Sequence, residues 1–114
     1  MKYTGGCHCG AVRYEAELDL GGAIECNCSH CSMKGLILVF TPAIQFTLLT
    51  PDAVQTEYLF NKKKIQHLFC PICGVQAYAQ AQYEGKDTRA VNIRTIDSID
   101  LTTIHPKQVN GKEF

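Results

Sequence analysis

Hydrophobic and polar residues alternate along most of this chain, which is the pattern of β-strands with one buried face. The segment "VRYEAEL" is the clearest case, because Val12, Tyr14, Ala16 and Leu18 all fall on one face of the predicted strand. The segments "VQTEYLF", "IQHLFC" and "VQAYAQA" alternate similarly, and "AVNIR" is a further strand candidate. The run "LILVF" is continuously apolar, which predicts a strand buried on both faces.

Turn residues separate these segments, and no segment carries an apolar stripe of helical period over about ten residues. Gly21-Gly22 and Thr50-Pro51 mark two of the turns, and the three lysines at 62–64 are typical of an exposed hairpin tip. The best helical candidates are single turns near Thr41–Ile44 and Ser98–Thr103. The pattern therefore predicts a mainly β fold of about seven or eight short, mostly antiparallel strands.

Length and charge narrow the class of protein. The chain has 114 residues, so we expect one domain spanning residues 1–114. Lys and Arg together number 11, as do Asp and Glu, and the resulting zero net charge argues against nucleic acid as a main partner. The N-terminus lacks the apolar core of a signal peptide, and no stretch approaches the roughly 20 apolar residues of a membrane span. We therefore expect a cytoplasmic protein without membrane contact.

Cysteine is the most unusual feature of the composition. There are 7 cysteines, an odd number, so complete internal disulfide pairing is excluded. They fall into three short motifs, "CHCG" at 7–10, "CNCSHC" at 26–31 and "CPICG" at 70–74. Because disulfides rarely persist in a reducing compartment, clustered thiolates favour metal binding over cross-linking.

The first and third motifs predict one closed zinc site. In each, two cysteines precede a glycine that permits the positive φ of a tight turn, so that both sulfurs can point at one ion. We assign Cys7, Cys9, Cys70 and Cys73 to a structural tetrahedral zinc, and we call them the four-cysteine cluster. One alternative is that "CPICG" is a redox-active pair. Another is that the three motifs combine differently, for example the first with the second.

The second motif supplies three sulfurs, which is one fewer than a structural zinc uses. Cys26, Cys28 and Cys31, here called the cysteine triplet, match a catalytic zinc site with one open position. A soft, thiolate-rich site would accept a substrate thiol there and favour its nucleophilic thiolate form. The alternative is that His30, inside the motif, or another side chain fills the fourth position and closes the site.

Other candidate residues surround these motifs. His67 lies three residues before the third motif, where it could transfer a proton beside the open zinc or simply be a half-buried core histidine. His8 and His30 lie in cysteine loops, where we expect exposed turn residues or neighbours of the metal ligands rather than ligands. Lys34 and Arg94 could receive a carboxylate if the substrate is anionic.

The order of the motifs is similar to that of a known family. The segments "GGCHCGAVRYEAE", "CNCSHCSMKG" and "IQHLFCPICGVQAYA" resemble the glutathione-dependent formaldehyde-activating enzyme (GFA) family, also called the centromere protein V/GFA domain family. The resemblance runs from Gly5 to about Gly111 and includes "AVNIRTIDSIDL". It implies coiled antiparallel sheets of the Mss4-like kind, a structural zinc at the four-cysteine cluster and a labile catalytic zinc at the triplet.

The resemblance also implies an activity. Members form S-(hydroxymethyl)glutathione from glutathione and formaldehyde, which makes them carbon–sulfur lyases acting in the reverse direction. Our first hypothesis is a zinc-dependent enzyme of this class acting on glutathione or a similar thiol, with the triplet and His67 as its catalytic residues. The second hypothesis is a non-catalytic, zinc-stabilised thiol carrier or protein-interaction domain.

Overall fold

The computed structural model of the chain describes residues 1–59 and 65–111. The predicted lysine tip at 62–64 lies outside the described residues. The described part contains two β-sheets and one short α-helix, α1, at Ser29–Lys34. None of its helices is long and apolar enough to cross a membrane.

The smaller sheet joins the N-terminal hairpin to a strand from the middle of the chain. Its three strands, in the order β1–β2–β5, are β1 (Lys2–Gly6), β2 (Arg13–Glu17) and β5 (Phe46–Leu48). Both pairings are antiparallel. The predicted face of "VRYEAEL" is confirmed, because Val12, Tyr14, Ala16 and Leu18 are all buried. This sheet therefore turns one apolar face toward the core.

The larger sheet has seven strands in the described residues, in the order β10–β3–β4–β9–β8–β7–β6. The strands are β3 (Ile24–Cys26), β4 (Leu38–Pro42), β6 (Thr56–Tyr58), β7 (Ile65–Phe69), β8 (Tyr78–Tyr83), β9 (Lys86–Asn92) and β10 (Lys107–Val109). All pairs are antiparallel except β10 with β3, which run parallel. The long return from β9 to the edge makes that parallel pairing possible.

The mainly β fold is confirmed, with corrections in detail. The described part has ten strands, not seven or eight, because several have only three residues and leave little periodic signal. Short 3-10 helices occupy Ala43–Gln45 and Leu101–Thr103, close to both predicted helical turns. Two more lie at Leu20–Gly22 and Ile93–Thr95.

The larger sheet separates two apolar clusters. The main core uses Val39, Tyr78 and Val91, whereas the second cluster uses Leu38, Ala79 and Ala90 from the same three strands. Since adjacent strand residues point to opposite faces, the two clusters lie on opposite sides of the sheet. The main core also includes residues of the smaller sheet. The second cluster includes Cys31 of α1, so the helix covers the other side.

Candidate functional site

The four-cysteine cluster assembles as its sequence predicts. The four sulfur atoms all lie within 4.8 Å of one another. Cys7 Sγ is 3.7 Å from Cys9 Sγ, which is 3.6 Å from Cys70 Sγ. A tetrahedral ion with metal–sulfur bonds of about 2.3 Å places its sulfurs about 3.8 Å apart. The observed separations therefore fit one zinc ion.

Local backbone geometry positions these sulfurs. Gly10 and Gly74, which follow the cysteine pairs, have φ of 84° and 79°, the left-handed conformation that glycine tolerates best. The Val12 amide donates to Cys7 Sγ at 3.3 Å, and such a bond stabilises a thiolate. The Gly74 amide donates to the Cys70 carbonyl at 2.8 Å and closes the second turn. In both turns, backbone conformation and hydrogen bonds therefore help to position the cysteine pair.

The thiols of this cluster have divergent acidities. Backbone hydrogen bonds, first from Val75, lower the pKa of Cys73 to about 6. The Ala11 amide also favours the thiolate of Cys9, but burial and the adjacent thiols outweigh it and raise that pKa to about 11. Four thiolates in contact repel one another, so protons are retained on part of the cluster. A divalent cation would remove that repulsion, and these four sulfurs are therefore suited to bind one.

The cysteine triplet lies on the other side of the larger sheet, where β3 passes into α1. Its three sulfurs also lie within 4.8 Å of one another. Cys28 is the N-cap of α1, and its Sγ accepts the Cys31 amide at 3.4 Å. Gly35 ends the helix in a left-handed conformation with φ of 66°. The helix is too short for an apolar stripe, which is why the periodic pattern did not predict it.

No fourth metal-binding side chain joins the triplet among the residues that the structure describes. The His30 ring lies instead against Tyr58, at 5.2 Å between ring centroids, and against His67, at 4.3 Å. The geometry therefore does not support the alternative in which His30 completes the site. The triplet remains a group of three sulfurs.

Two thiols of the triplet have pKa values shifted in opposite directions. Burial, together with contact with the Cys28 thiol, raises the pKa of Cys31 well above its ordinary value. Burial acts on Cys28 in the same direction, but hydrogen bonds from the Cys31 amide and the adjacent thiols outweigh it and lower the pKa of Cys28. Helix α1 thus presents one sulfur that favours the thiolate and one that keeps its proton until a cation binds.

His67 lies beside the triplet on the same face of the sheet. It pairs with Tyr58 on β6 and with Ala79 on β8, which in turn pairs with Ala90 on β9. Only 5% of His67 is exposed. Burial, with smaller contributions from the charges of His30 and Lys34, lowers the pKa of His67 to about 4. The imidazole is therefore neutral at pH 7, with one N–H donor and one acceptor nitrogen.

The two predicted cationic residues have different positions. Lys34 extends its Nζ over the Phe69 ring, 5.3 Å from the centroid, and donates to Gln76 Oε1 at 2.6 Å. Arg94 Nε donates to the Gly35 carbonyl at 3.0 Å, so it holds the end of α1. His8 is exposed, as expected of a turn residue. Lys34 is therefore the cation directed into the triplet side of the sheet.

Two further residues belong to this region, and sequence reasoning missed both. Gln76 had looked like one polar residue of an alternating strand. The other is Gly111, where a Cβ atom would lie 2.1 Å from Cys26 Sγ. The parallel pairing of Val109 with Cys26 brings Gly111 next to the triplet. The backbone N–H of Asn27 donates to the Val109 carbonyl at 3.1 Å. No local signal could reveal this long-range contact.

Comparison with known proteins agrees with this architecture. The chain aligns with a crystal structure of a Rhodobacter sphaeroides protein with a TM-score of 0.81 and 25% sequence identity, covering 93% of this chain and 99% of that one. The model of the family described as "Glutathione-dependent formaldehyde-activating enzyme" matches residues 2–110. Since this match covers nearly the whole chain and includes all three cysteine motifs, the protein belongs to the glutathione-dependent formaldehyde-activating enzyme (GFA) family.

Proposed function

We propose that this protein is a zinc-dependent enzyme of the carbon–sulfur lyase type that handles adducts of glutathione or a similar small thiol. The reaction would be formation of S-(hydroxymethyl)glutathione from glutathione and formaldehyde. The observation that carries this proposal is the triplet, in which three sulfurs converge beside a buried histidine without a fourth protein ligand in the described residues. Membership of the family supports the same reaction class.

The donor sets fit zinc in two different ways. The four-cysteine cluster would hold a structural zinc, because four sulfurs satisfy a tetrahedral ion completely. The triplet would hold a labile zinc through Cys26, Cys28 and Cys31. Zinc bound there would supply one capability, which is to lower the pKa of an incoming thiol so that the thiolate forms at neutral pH.

The remaining steps fall to protein side chains. Addition of a thiolate to the carbonyl carbon of formaldehyde forms the carbon–sulfur bond, and the carbonyl oxygen then takes up a proton. We assign His67 to that oxygen as a neutral hydrogen-bond donor, because burial keeps its imidazole uncharged at pH 7. The thiol would release its proton to water when the thiolate forms, and water would return one proton to the oxygen, so no net proton is consumed. Ala79 and Ala90, beside His67 in the sheet, are small and leave the floor of the site free of bulky side chains.

The domain organisation and the cellular location of the protein are part of the same proposal. Because the family match spans residues 2–110, we propose that the chain acts as one domain. We place it in the cytoplasm, where glutathione is abundant and thiols stay reduced.

Cobalt substitution tests thiol binding at the triplet. Cobalt replaces zinc in thiolate sites and absorbs visible light through its sulfur bonds. We expect glutathione to shift this absorption in the native protein but not in a Cys28→Ser variant, which retains the four-cysteine cluster as an internal reference. A spectrum that glutathione leaves unchanged would contradict the proposal.

A rate measurement separates the enzyme from a passive thiol carrier. With equal glutathione and formaldehyde, the zinc-loaded protein should accelerate the adduct's formation over the uncatalysed rate in proportion to enzyme concentration. Cys28→Ser should abolish that acceleration. Stoichiometric binding without acceleration would favour the carrier.

A further inference from the structure

Gln76 is a buried amide whose orientation is set by its neighbour. Only 3% of the residue is exposed, and its Oε1 accepts from Lys34 Nζ. An ammonium group has donors and no acceptor, so the oxygen of the amide must face Lys34. The Nε2 group of Gln76 is therefore fixed on the other end of the amide.

The Nε2 group of Gln76 has no hydrogen-bond acceptor among the residues the structure describes. Leaving a buried donor unsatisfied is unfavourable, so such a group calls for an explanation. The Lys34 ammonium carries three hydrogens, and one of them is used by Gln76 Oε1. The two side chains together thus present unused donors from adjacent nitrogen atoms.

This donor pair lies next to the triplet. Lys34 follows Cys31 by three residues on α1, and residues at that spacing share a face of a helix. Lys34 Nζ also lies 5.3 Å from the centroid of the Phe69 ring, and Phe69 shares a face of β7 with His67.

The chemistry of the pair favours an anion. None of the salt bridges among the described residues involves Lys34. A carboxylate has two oxygens that accept two donors side by side, and charge-assisted bonds of this kind are the stronger ones. A neutral ligand would leave the charge of Lys34 without a counterion.

We propose that Lys34 and Gln76 form a subsite that binds the carboxylate of the thiol substrate, so that the enzyme selects small thiols carrying a carboxylate over neutral thiols. This subsite rests on the proposed function for its thiol, and it assigns a specificity role to two residues that are not metal ligands. The thiol enters the triplet while its carboxylate bridges Lys34 Nζ and Gln76 Nε2.

A thiol acid and its neutral methyl ester test the selection. We would titrate cobalt-substituted protein with 3-mercaptopropionate and with its methyl ester and follow the sulfur–cobalt absorption. The native protein should bind the acid about tenfold more tightly, since a charge-assisted hydrogen bond contributes about 1.5 kcal/mol. Lys34→Met should remove this preference while binding of the ester stays unchanged.

Two more variants make the test specific. Gln76→Glu keeps the size of the side chain and gains an ion pair with Lys34, so it should fold and should bind the acid more weakly than the ester. Lys86→Met, on the distant β8–β9 hairpin, makes the same change of net charge and should retain the native preference. Equal affinities for acid and ester in the native protein would overturn the subsite while leaving thiol binding intact.

A separate measurement tests the carboxylate subsite if the proposed function is wrong. If neither thiol changes the cobalt absorption, thiol binding at the triplet is wrong, and propionate then tests the anion site alone. In that case, a shift of the Gln76 side-chain amide in ¹⁵N NMR spectra on adding propionate, lost in Lys34→Met, would support the carboxylate site. No shift would overturn it.

Discussion

The two cysteine clusters share sulfur chemistry but differ in completeness and position. The four-cysteine cluster joins two turns that are 61 residues apart in sequence, and Cys70 is fully buried in the main core. The triplet comes from six consecutive residues on the opposite side of the larger sheet. A metal in the first cluster would close a long loop, whereas one in the second would constrain a few residues that already form a helix cap.

One small fold thus carries two sets of sulfurs suited to metal, one complete and one with three members, on opposite sides of the same sheet. Closing a long loop and satisfying four sulfurs, two of them on buried cysteines, would make metal affinity part of the folding free energy. A local set of three sulfurs would contribute less to folding, so a metal held there could exchange and bind a further ligand. The larger sheet lies between them, so a change at the triplet need not disturb the main core.

Removing one sulfur from each cluster tests whether the two clusters differ in their contribution to folding, and it should have the largest effect. We expect Cys73→Ser to abolish folding under ordinary conditions, because structural zinc sites contribute on the order of 10 kcal/mol. We expect Cys28→Ser to change the free energy of unfolding by no more than about 1 kcal/mol. Serine is a favoured N-cap residue, so it can accept the Cys31 amide in place of the sulfur.

Urea unfolding followed by circular dichroism measures the free energy of unfolding of both variants. Zinc analysis after brief exposure to a chelator is the second measurement. Native protein should lose one zinc quickly and keep another. Similar destabilisation by the two substitutions would show that the triplet is structural as well.

Acid should weaken the triplet side of the sheet through His67. Its pKa is lowered to about 4 in the folded protein from an ordinary 6.5, so the unfolded chain binds a proton first as pH falls. The contribution of neutral His67 to the free energy of unfolding is therefore complete at pH 7 and is lost as pH decreases through 6.5 toward 4. The loss between pH 6.5 and 5 is at most about 2 kcal/mol.

Urea unfolding at several pH values measures this effect. As pH falls, the free energy of unfolding should decrease less in a His67→Gln variant than in the native protein. His8→Gln is the matched control, because His8 is exposed beside the four-cysteine cluster. Protonation of metal-bound thiolates affects all three proteins alike. Parallel declines for native protein and His67→Gln would contradict the assignment.

The smallest expected effect comes from a residue that binds no metal. A methyl group at Gly111 would lie 2.1 Å from Cys26 Sγ, with Cys28 Cβ at 3.2 Å, so the sulfur must move. We expect Gly111→Ala to weaken metal binding at the triplet about tenfold, or about 1.4 kcal/mol. The four-cysteine cluster should keep its metal.

Competition with a coloured zinc chelator measures this affinity. Gly22→Ala serves as the control, because a Cβ atom there meets no other atom within 4 Å. Unchanged affinity in Gly111→Ala would mean that Cys26 can move without cost, and the C-terminal strand would then have no part in shaping the triplet.

Several features of the site could be predicted because they are local. The glycines after the cysteine pairs indicated tight turns, and both adopt the left-handed conformation. The number of sulfurs in each motif indicated which sets could be complete. The strand faces followed from alternation, as in "VRYEAEL", because a β-strand alternates its side chains regardless of its partners.

Other features depended on contacts between distant segments. Gln76 lies 42 residues from Lys34 and Gly111 lies far from Cys26 in sequence, so no local pattern links either pair. Helix α1 was missed because six residues are too few for a periodic stripe.

The amino-acid sequence alone therefore determined the mainly β fold, the family and the division of seven cysteines into four and three, since motif spacing and strand alternation are local properties. Tertiary structure alone decided that the two clusters lie on opposite faces of one sheet, that His30 lies against His67 instead of completing the triplet, and that Lys34 meets Gln76. Those arrangements arise from strand order and register, which are set by how the whole core packs.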